Sequence, residues 1–334
     1  MSRDTLSDVL RSVRLRGAVF YYVSGGAEWA AEAPAAQEIA AAVMPGVEHV
    51  MEYHVMTKGA GWAAIVGQPP VRVEQGDIVM FPHGDPHVIS SAPGLRPAKS
   101  DAEWFFATRN DPKPIPIAYH SVEKYSVGAL APDALTNAVC GFLGCDLRPF
   151  NPLIATLPRL LRVPAADDGS WVAQVMQQAV NASQERRPGS EAVLERMSEM
   201  MFVDAVRRYV DALPDESKGW LAGLRDRHVG RALALLHEAP ARDWTVEALA
   251  AEVALSRSAF YDRFVQFLAQ PPMQYLTQWR MQVAAKLLRE GRAPVASIAL
   301  EVGYDSEAAF ARAFKRLTGT PPAAWRRERQ ASGA

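Results

Sequence analysis

The sequence predicts an α+β multidomain protein: an N-terminal β-barrel or sandwich of short strands, a helical middle segment and an all-α C-terminal domain carrying two helix-turn-helix motifs. Three observations lead there. Up to about residue 150 the chain reads as short β-like stretches broken by Gly and Pro, the pattern of a barrel or sandwich. From about Asn151 the apolar period becomes helical. Within the last third, one pattern occurs twice, displaced by 49 to 50 residues.

The strand-like stretches are Ala18 to Val23, Glu52 to Met56, Trp62 to Val66, Val71 to Val73, Asp77 to Phe81, Trp104 to Thr108 and Ala138 to Leu143. Two amphipathic helices follow, Trp171 to Ser183 and Glu191 to Leu213. Between them, Arg186-Arg187-Pro188-Gly189-Ser190 stops one helix and offers Ser190 as a cap for the next. In the last region Val246-x-x-Leu249-Ala250-x-x-Val253 returns as Val295-x-x-Ile298-Ala299-x-x-Val302. Phe260-x-x-x-Phe264 returns as Phe310-x-x-x-Phe314, and Pro271-Pro272-x-x-Tyr275 as Pro321-Pro322-x-x-Trp325. Each copy reads as a short helix, a tight turn and a second helix whose two Phe share a buried face. Met273 to Arg289 joins the copies as one helix with Leu276, Trp279, Val283, Leu287 and Leu288 as its core stripe.

Composition narrows the function classes. The 334 residues have room for about two domains, and 49% hydrophobic with 22% charged content excludes collagen-like and disordered chains. Net charge is -1, but residues 1 to 224 carry 20 basic and 26 acidic side chains and residues 225 to 334 carry 16 and 11. A basic last third fits a polyanionic partner. Two cysteines, Cys140 and Cys145, cannot build a disulfide framework. The first residues lack a signal-peptide pattern and no long apolar run occurs, so the expectation is a cytoplasmic protein with no membrane partner.

In a helix-turn-helix the second helix enters the major groove and its exposed N-terminal half meets base edges. With Phe260 and Phe264 inward, Arg257, Ser258, Tyr261 and Asp262 face outward in the first copy. In the second, Glu307, Ala308, Ala311 and Arg312 are placed near the groove, and Lys315 and Arg316 near phosphates. Ser256 and Ser306 stand where a capping hydroxyl is wanted and where freed amides hold a phosphate. The expected partner is double-stranded promoter DNA.

The residues Val302-Gly-Tyr-Asp-Ser306, Phe310-x-Arg312-Ala-Phe-Lys-Arg316, Gly319-x-Pro321-Pro322 and Trp325-Arg326 resemble the signature of the AraC/XylS family of bacterial transcription regulators. The likeness runs back through Trp279-Arg-Met281 to Leu255-Ser-Arg-Ser258; Ala269 departs from it, standing where the family usually has Gly. Gly76-Asp-Ile-Val-Met-Phe-Pro82-His-Gly84-Asp-Pro-His87 resembles the second motif of the cupin barrel, and Arg3 to Pro164 resembles the cupin sensor of one AraC-type subgroup. The resemblance implies a cupin-like sensor over residues 1–164, a helical coupling or dimerisation segment over 165–218 and a DNA-binding domain over 219–330.

Enzymatic cupins hold a divalent metal on histidines. Here His54 and His87 match, with Glu52, His83 or Cys140 as candidates to complete a set for Zn²⁺ or a similar ion. The sequence admits a second reading, in which these are hydrogen-bonded barrel residues without metal. Cys140 and Cys145 are redox candidates, although odd spacing puts their side chains on opposite strand faces. Tyr53, Trp62, Trp104 and Phe106 are candidate pocket-lining residues. The middle helices carry more apolar surface than a linker needs and are expected to pack on the barrel and form a homodimer. The function expected is a non-enzymatic regulator controlled by a small molecule, a metal or redox state, contacting RNA polymerase if it activates. The alternative is a metal-dependent cupin enzyme fused to a DNA-binding module.

Overall fold

A computed structural model describes residues 4–98, 102–165, 171–184 and 188–331. Arg3, Arg186 and Arg187, named above, lie outside the described residues. In chain order the first elements are α1 (Thr5–Ser12), β1 (Arg16–Gly25), β2 (Ala30–Ala33), α2 (Ala36–Val43), β3 (His49–Lys58), β4 (Ala60–Ile65), β5 (Val71–Glu74), β6 (Ile78–Phe81), β7 (His87–Ser90), α3 (Ala102–Ala107), β8 (Ile115–Tyr119), β9 (Tyr125–Val127), β10 (Thr136–Cys145) and β11 (Leu161–Val163). Helices follow: α4 (Trp171–Gln184), α5 (Ser190–Asp211), α6 (Trp220–Arg225), α7 (Arg227–Glu238), α8 (Val246–Glu252), α9 (Arg257–Leu268), α10 (Pro272–Glu290), α11 (Val295–Glu301), α12 (Glu307–Thr318) and α13 (Pro322–Ala331). The chain divides into a barrel unit, Leu15–Cys145 with Leu157–Tyr209, and a helical unit, Met1–Arg14 with Asp146–Thr156 and Val210–Ala334.

The barrel unit has two sheets, ordered β11-β6-β3-β10-β1-β8-β9 and β2-β7-β4-β5. Pairing is antiparallel except between β1 and β8. The core lies between the sheets, with Tyr21, Val23, Met56, Phe81 and Phe142 from one and Ala63, Ile65, Val73 and Ile89 from the other. Both faces of β3 and β10 are covered, so their residues are buried almost without alternation. On the outer face α4 and α5 close over the large sheet: Tyr53 Oη lies 2.7 Å from Ser198 Oγ on α5, and Tyr22 Oη donates to Gln177 Oε1 on α4 at 2.6 Å. The middle helices therefore pack on the barrel as the apolar surface predicted. Gly141 permits the closure, because a Cβ there would come within 2.1 Å of the Ala18 carbonyl and 2.5 Å of Tyr53 Oη.

Some local expectations change. The run from Trp104, expected as a strand, is helix α3, with Thr108 Oγ1 donating to Trp104 O at 2.9 Å and Phe105 buried. A helical turn puts Phe105 into the core and leaves Phe106 39% exposed, where strand alternation would pair Trp104 with Phe106. Sequence reading also passed over β2, β8, β9, β11, α1 and α2, which are short elements of three to eight residues.

In the helical unit α8–α9 and α11–α12 are the two helix-turn-helix motifs, joined by α10, which at 19 residues is about 28 Å long. Phe260, Phe264, Phe310 and Phe314 are fully buried, as the repeat predicted. The copies share their turn geometry but not its residues. Gly303 and Gly319 have φ of 83° and 81°, and the matching positions of the first copy, Ala254 and Ala269, have 56° and 54°. The departure at Ala269 therefore leaves the turn intact, with an alanine held in the left-handed region that glycine enters more freely.

The boundary expected at residue 164 divides differently in space. Segments 4–14 and 146–156 belong with the helical unit, and buried polar groups on α10 hold them there. Gln282, 1% exposed, donates to Ser12 O at 2.9 Å and accepts from Phe150 N at 3.1 Å. Asp146 accepts from both Arg14 Nε and Arg289 Nη1 at 2.9 Å. A buried amide or carboxylate is stable only with such partners, and these lie far away in sequence.

Candidate nucleic-acid interface and sensor cavity

The outward face of α9 carries Arg257, Ser258, Tyr261 and Asp262, all exposed. That of α12 carries Glu307, Ala308, Arg312, Lys315 and Arg316, all exposed. Helical spacing produces both faces, because burial of the Phe pair fixes the rotation of each helix. Their electrostatics differ. Arg257 pairs with Glu247 on α8, and Arg263 pairs with Asp226, which also caps α7. On α12 the basic residues Arg312, Lys315 and Arg316 lie within a single turn and a half of helix. Both members of the Arg257–Glu247 pair are well over half exposed, so water weakens the pair and phosphate or a guanine edge can compete for the guanidinium. Ser306 caps its helix: its Oγ accepts from Ala309 N at 3.3 Å at the start of α12, just as Ser256 Oγ accepts from Ala259 N at 3.2 Å on α9.

Inside the barrel, register brings three strands together: Tyr21 on β1 pairs with Cys140 on β10, and Cys140 with His54 on β3. His87, at the start of β7, faces them. His87 Nδ1 lies 2.9 Å from the Asp85 carbonyl, His54 Nε2 lies 2.8 Å from His87 Nε2, and His54 Nδ1 lies 2.9 Å from Cys140 Sγ. A carbonyl only accepts, so His87 donates from Nδ1 and accepts at Nε2. His54 then donates from Nε2 and accepts the Cys140 thiol proton at Nδ1. Every ring nitrogen is satisfied with both imidazoles neutral. Burial drives them that way, pushing His87 down to about 4 and His54 well below 6.5. Burial also raises the Cys140 thiol, helped by the nearby Glu52 charge, which keeps the sulfur protonated.

Glu52 shares the inward face of β3 with His54. It is 4% exposed, burial pushes its carboxyl up to about 8, and Oε2 has no hydrogen-bond partner among the described residues. His87 Nε2 is 3.9 Å away, beyond hydrogen-bond reach. Donor atoms of Glu52, His54 and His87 lie within 4.8 Å of one another. In number and type these fit a divalent ion with one open position, once the His54–His87 hydrogen bond gives way. Cys140, expected as a ligand, lies instead on the far nitrogen of the His54 ring and orients it. His83 and His49 bond the Leu157 and Pro82 carbonyls.

The two cysteines are not brought together. Strand β10 is continuous across them, which separates their Cα atoms by about 16 Å, and a disulfide needs less than about 7 Å. Both are buried.

Glu52, His54, His87 and Cys140 floor a cavity of about 170 Å³ whose walls include Tyr21, Trp29, Trp104, Phe105, Tyr119 and Tyr125. Of the aromatic residues expected there, only Trp104 lines it. Tyr53 faces α5, Phe106 is exposed, and Trp62 borders a separate small pocket. Sequence reasoning missed Tyr21, Trp29, Tyr119 and Tyr125. Tyr21, Tyr119 and Tyr125 reach it from strands β1, β8 and β9, and Trp29 from a loop.

Tandem helix-turn-helix motifs with a basic second helix, on a chain that also carries a two-sheet barrel, define a DNA-binding regulator as a class. Comparison with known proteins gives the family. A family model described as Cupin matches residues 4–211 and one described as Helix-turn-helix domain matches residues 249–328. A putative AraC-like transcription regulator from Streptomyces antibioticus is 31% identical over 97% of this chain and 98% of that protein. The HTH-type transcriptional regulator AlkR from Acinetobacter baylyi is 27% identical over 97% of this chain and 99% of its own. The solved DNA-binding domain of AdpA, in complex with a target DNA, is 31% identical, covering 32% of this chain and 95% of that one with a TM-score of 0.31. The chain belongs to the AraC/XylS family of transcription regulators, with an N-terminal cupin domain and a C-terminal domain that binds double-stranded DNA. No helix among the described residues is long and apolar enough to cross a membrane.

Proposed function

We propose that the protein is a cytoplasmic, homodimeric regulator whose hold on promoter DNA is set by a signal received in the barrel cavity. One observation carries the sensing half: a cavity of about 170 Å³ floored by a buried carboxylate oxygen that no described group satisfies. Occupancy of the cavity changes DNA affinity only if the ligand binds one DNA-binding state more tightly than the other. On the DNA side, Lys315 and Arg316 hold phosphates and Arg312 reads a base edge. Glu307 and Ala308 lie beside it, and Ser306 presents the α12 amides. In the first motif Ser258, Tyr261 and Asp262 face the groove, and Arg257 joins them when it leaves Glu247. If the regulator activates, RNA polymerase is a further partner.

The test is binding of the full-length protein to its own upstream DNA by gel shift and footprinting, beside Arg312→Ala. Affinity is expected to fall by roughly ten- to a hundredfold, the value of a bidentate base contact. An unchanged footprint and affinity would remove Arg312 from the reading. Light scattering at micromolar concentration tests the dimer.

A second reading is favoured by the convergence of Glu52, His54 and His87: a divalent ion held there, which when bound supplies Lewis acidity for signalling or for cupin catalysis. Elemental analysis beside a His54→Ala, His87→Ala double variant tests it. About one ion per chain, lost in the variant, would establish the metal, and turnover would be needed in addition to make the protein an enzyme.

A further inference from the structure

The barrel cavity has a chemistry that control of DNA binding does not by itself require. Its floor contains an unsatisfied acceptor, Glu52 Oε2, fully buried. Its wall is a continuous aromatic belt, each ring near the next: Phe105 to Tyr21 at 5.9 Å, Tyr21 to Trp104 at 5.2 Å, Trp104 to Tyr125 at 6.5 Å, Tyr125 to Tyr119 at 5.7 Å and Tyr119 to Trp29 at 5.6 Å between centroids. Its charged lining is of one sign. Glu32, Glu52 and Glu123 border it, and no described lysine or arginine does, although Arg96 pairs with Glu32 from outside the lining.

We propose that the cavity takes a small organic cation, an ammonium or similar onium group on an apolar body, with its charge beside Glu52 and its body against the aromatic belt. The proposal rests on reading the barrel as the sensor and names the class of its signal. Each alternative leaves something unsatisfied. An anion meets Glu52 and Glu123 with no described lysine or arginine on the lining, and Arg96 is already paired with Glu32. An uncharged apolar molecule leaves Glu52 Oε2 without a partner, a costly state for a buried group. A bare metal ion must break the His54–His87 hydrogen bond in a relay that is already satisfied, and it makes no use of the belt. An onium group stabilises the ionised form of Glu52 by its charge and meets the ring faces through their quadrupoles, in a site where both attractions are strengthened by exclusion of water. The Cys140–His54–His87 relay then serves as a neutral, rigid floor beneath the cation.

The experiment is isothermal titration of the full-length protein with benzyltrimethylammonium and choline, with the uncharged molecules in which carbon replaces their nitrogen, with phenylacetate, and with zinc(II) alone. The cations are expected to bind roughly tenfold or more tightly than their uncharged counterparts. Glu52→Gln is expected to remove that preference. Tyr125→Leu, at a belt position 48% exposed where folding tolerates a change, is expected to weaken the cations severalfold. If the uncharged molecules or phenylacetate bind as tightly as the cations, the proposed class is overturned while the barrel remains the sensor. If zinc alone binds at one per chain and the cations do not, the metal reading replaces it. If none of the probes binds, the proposal falls, and the sensor reading is judged separately by whether Tyr125→Leu and Glu52→Gln alter control of the upstream DNA.

Discussion

Replacing Glu52 by Gln should change how the stability of the barrel depends on pH, with a sign fixed by burial. In the folded chain the Glu52 carboxyl titrates at about 8, against a usual 4.5 once unfolded. Between those values the unfolded chain releases a proton that the folded chain keeps, so stability falls as pH rises. His54 and His87 act in the opposite sense, because each is held below the usual 6.5; their stabilisation is present above about pH 6.5 and is lost as pH falls toward about 4 for His87. From about 4.5 to 6.5 the two histidines outweigh the one carboxyl and stability climbs. Above 6.5 Glu52 acts alone among these three, at about 1.4 kcal/mol per pH unit, or about 2 kcal/mol lost by pH 8. The assay is urea unfolding of the full-length protein and of Glu52→Gln in steps from pH 6.5 to 8, followed by fluorescence and near-ultraviolet circular dichroism. The difference between the two proteins cancels the titrations that Glu52 does not influence. It should grow in favour of the variant by about 2 kcal/mol across that range. A flat difference, or one moving toward the wild type, would refute the buried-carboxyl reasoning.

Three further outcomes follow from the helical unit and its reader face. Ala254→Gly and Ala269→Gly should each stabilise the helical unit by about 1 kcal/mol, since both alanines sit at positive φ; unfolding midpoints check this, and a loss of stability would show that Cβ packing outweighs the strain. Asp146→Ala should cost about 3 to 5 kcal/mol, because it strips the partner from Arg289, whose side chain is 9% exposed; denaturant unfolding would read it. Removing Lys315 or Arg316 should weaken DNA binding similarly on all sequences and lower the slope of log affinity against log salt by about one for each, measured by fluorescence anisotropy across a salt series.

Local pattern made the DNA-reading half legible. Phe260 with Phe264 and Phe310 with Phe314 define a buried stripe through i,i+4 spacing, so the outward positions follow from helix geometry without any knowledge of the rest of the chain. The caps at Ser256 and Ser306 are contacts of three residues' span. In the barrel, alternation placed Glu52 and His54 on one face, and the Gly-Pro-Gly-His pattern marked His87.

Meetings across long stretches of chain were decided only by the tertiary structure. His54 reaches His87 over 33 residues and Cys140 over 86, and the unpaired state of Glu52 Oε2 depends on what every neighbouring strand fails to supply. Tyr119 and Tyr125 enter the cavity wall through strand pairing, while Tyr53, one residue from Glu52, turns to a helix 145 residues on. Gln282 finds Ser12 across 270 residues, and Asp146 joins Arg14 and Arg289 across 132 and 143. Helix and strand periods are properties of a few consecutive residues and survive in the sequence. Partners of buried polar groups are chosen by which distant segments exclude water together, and that choice exists only once the chain has closed on itself.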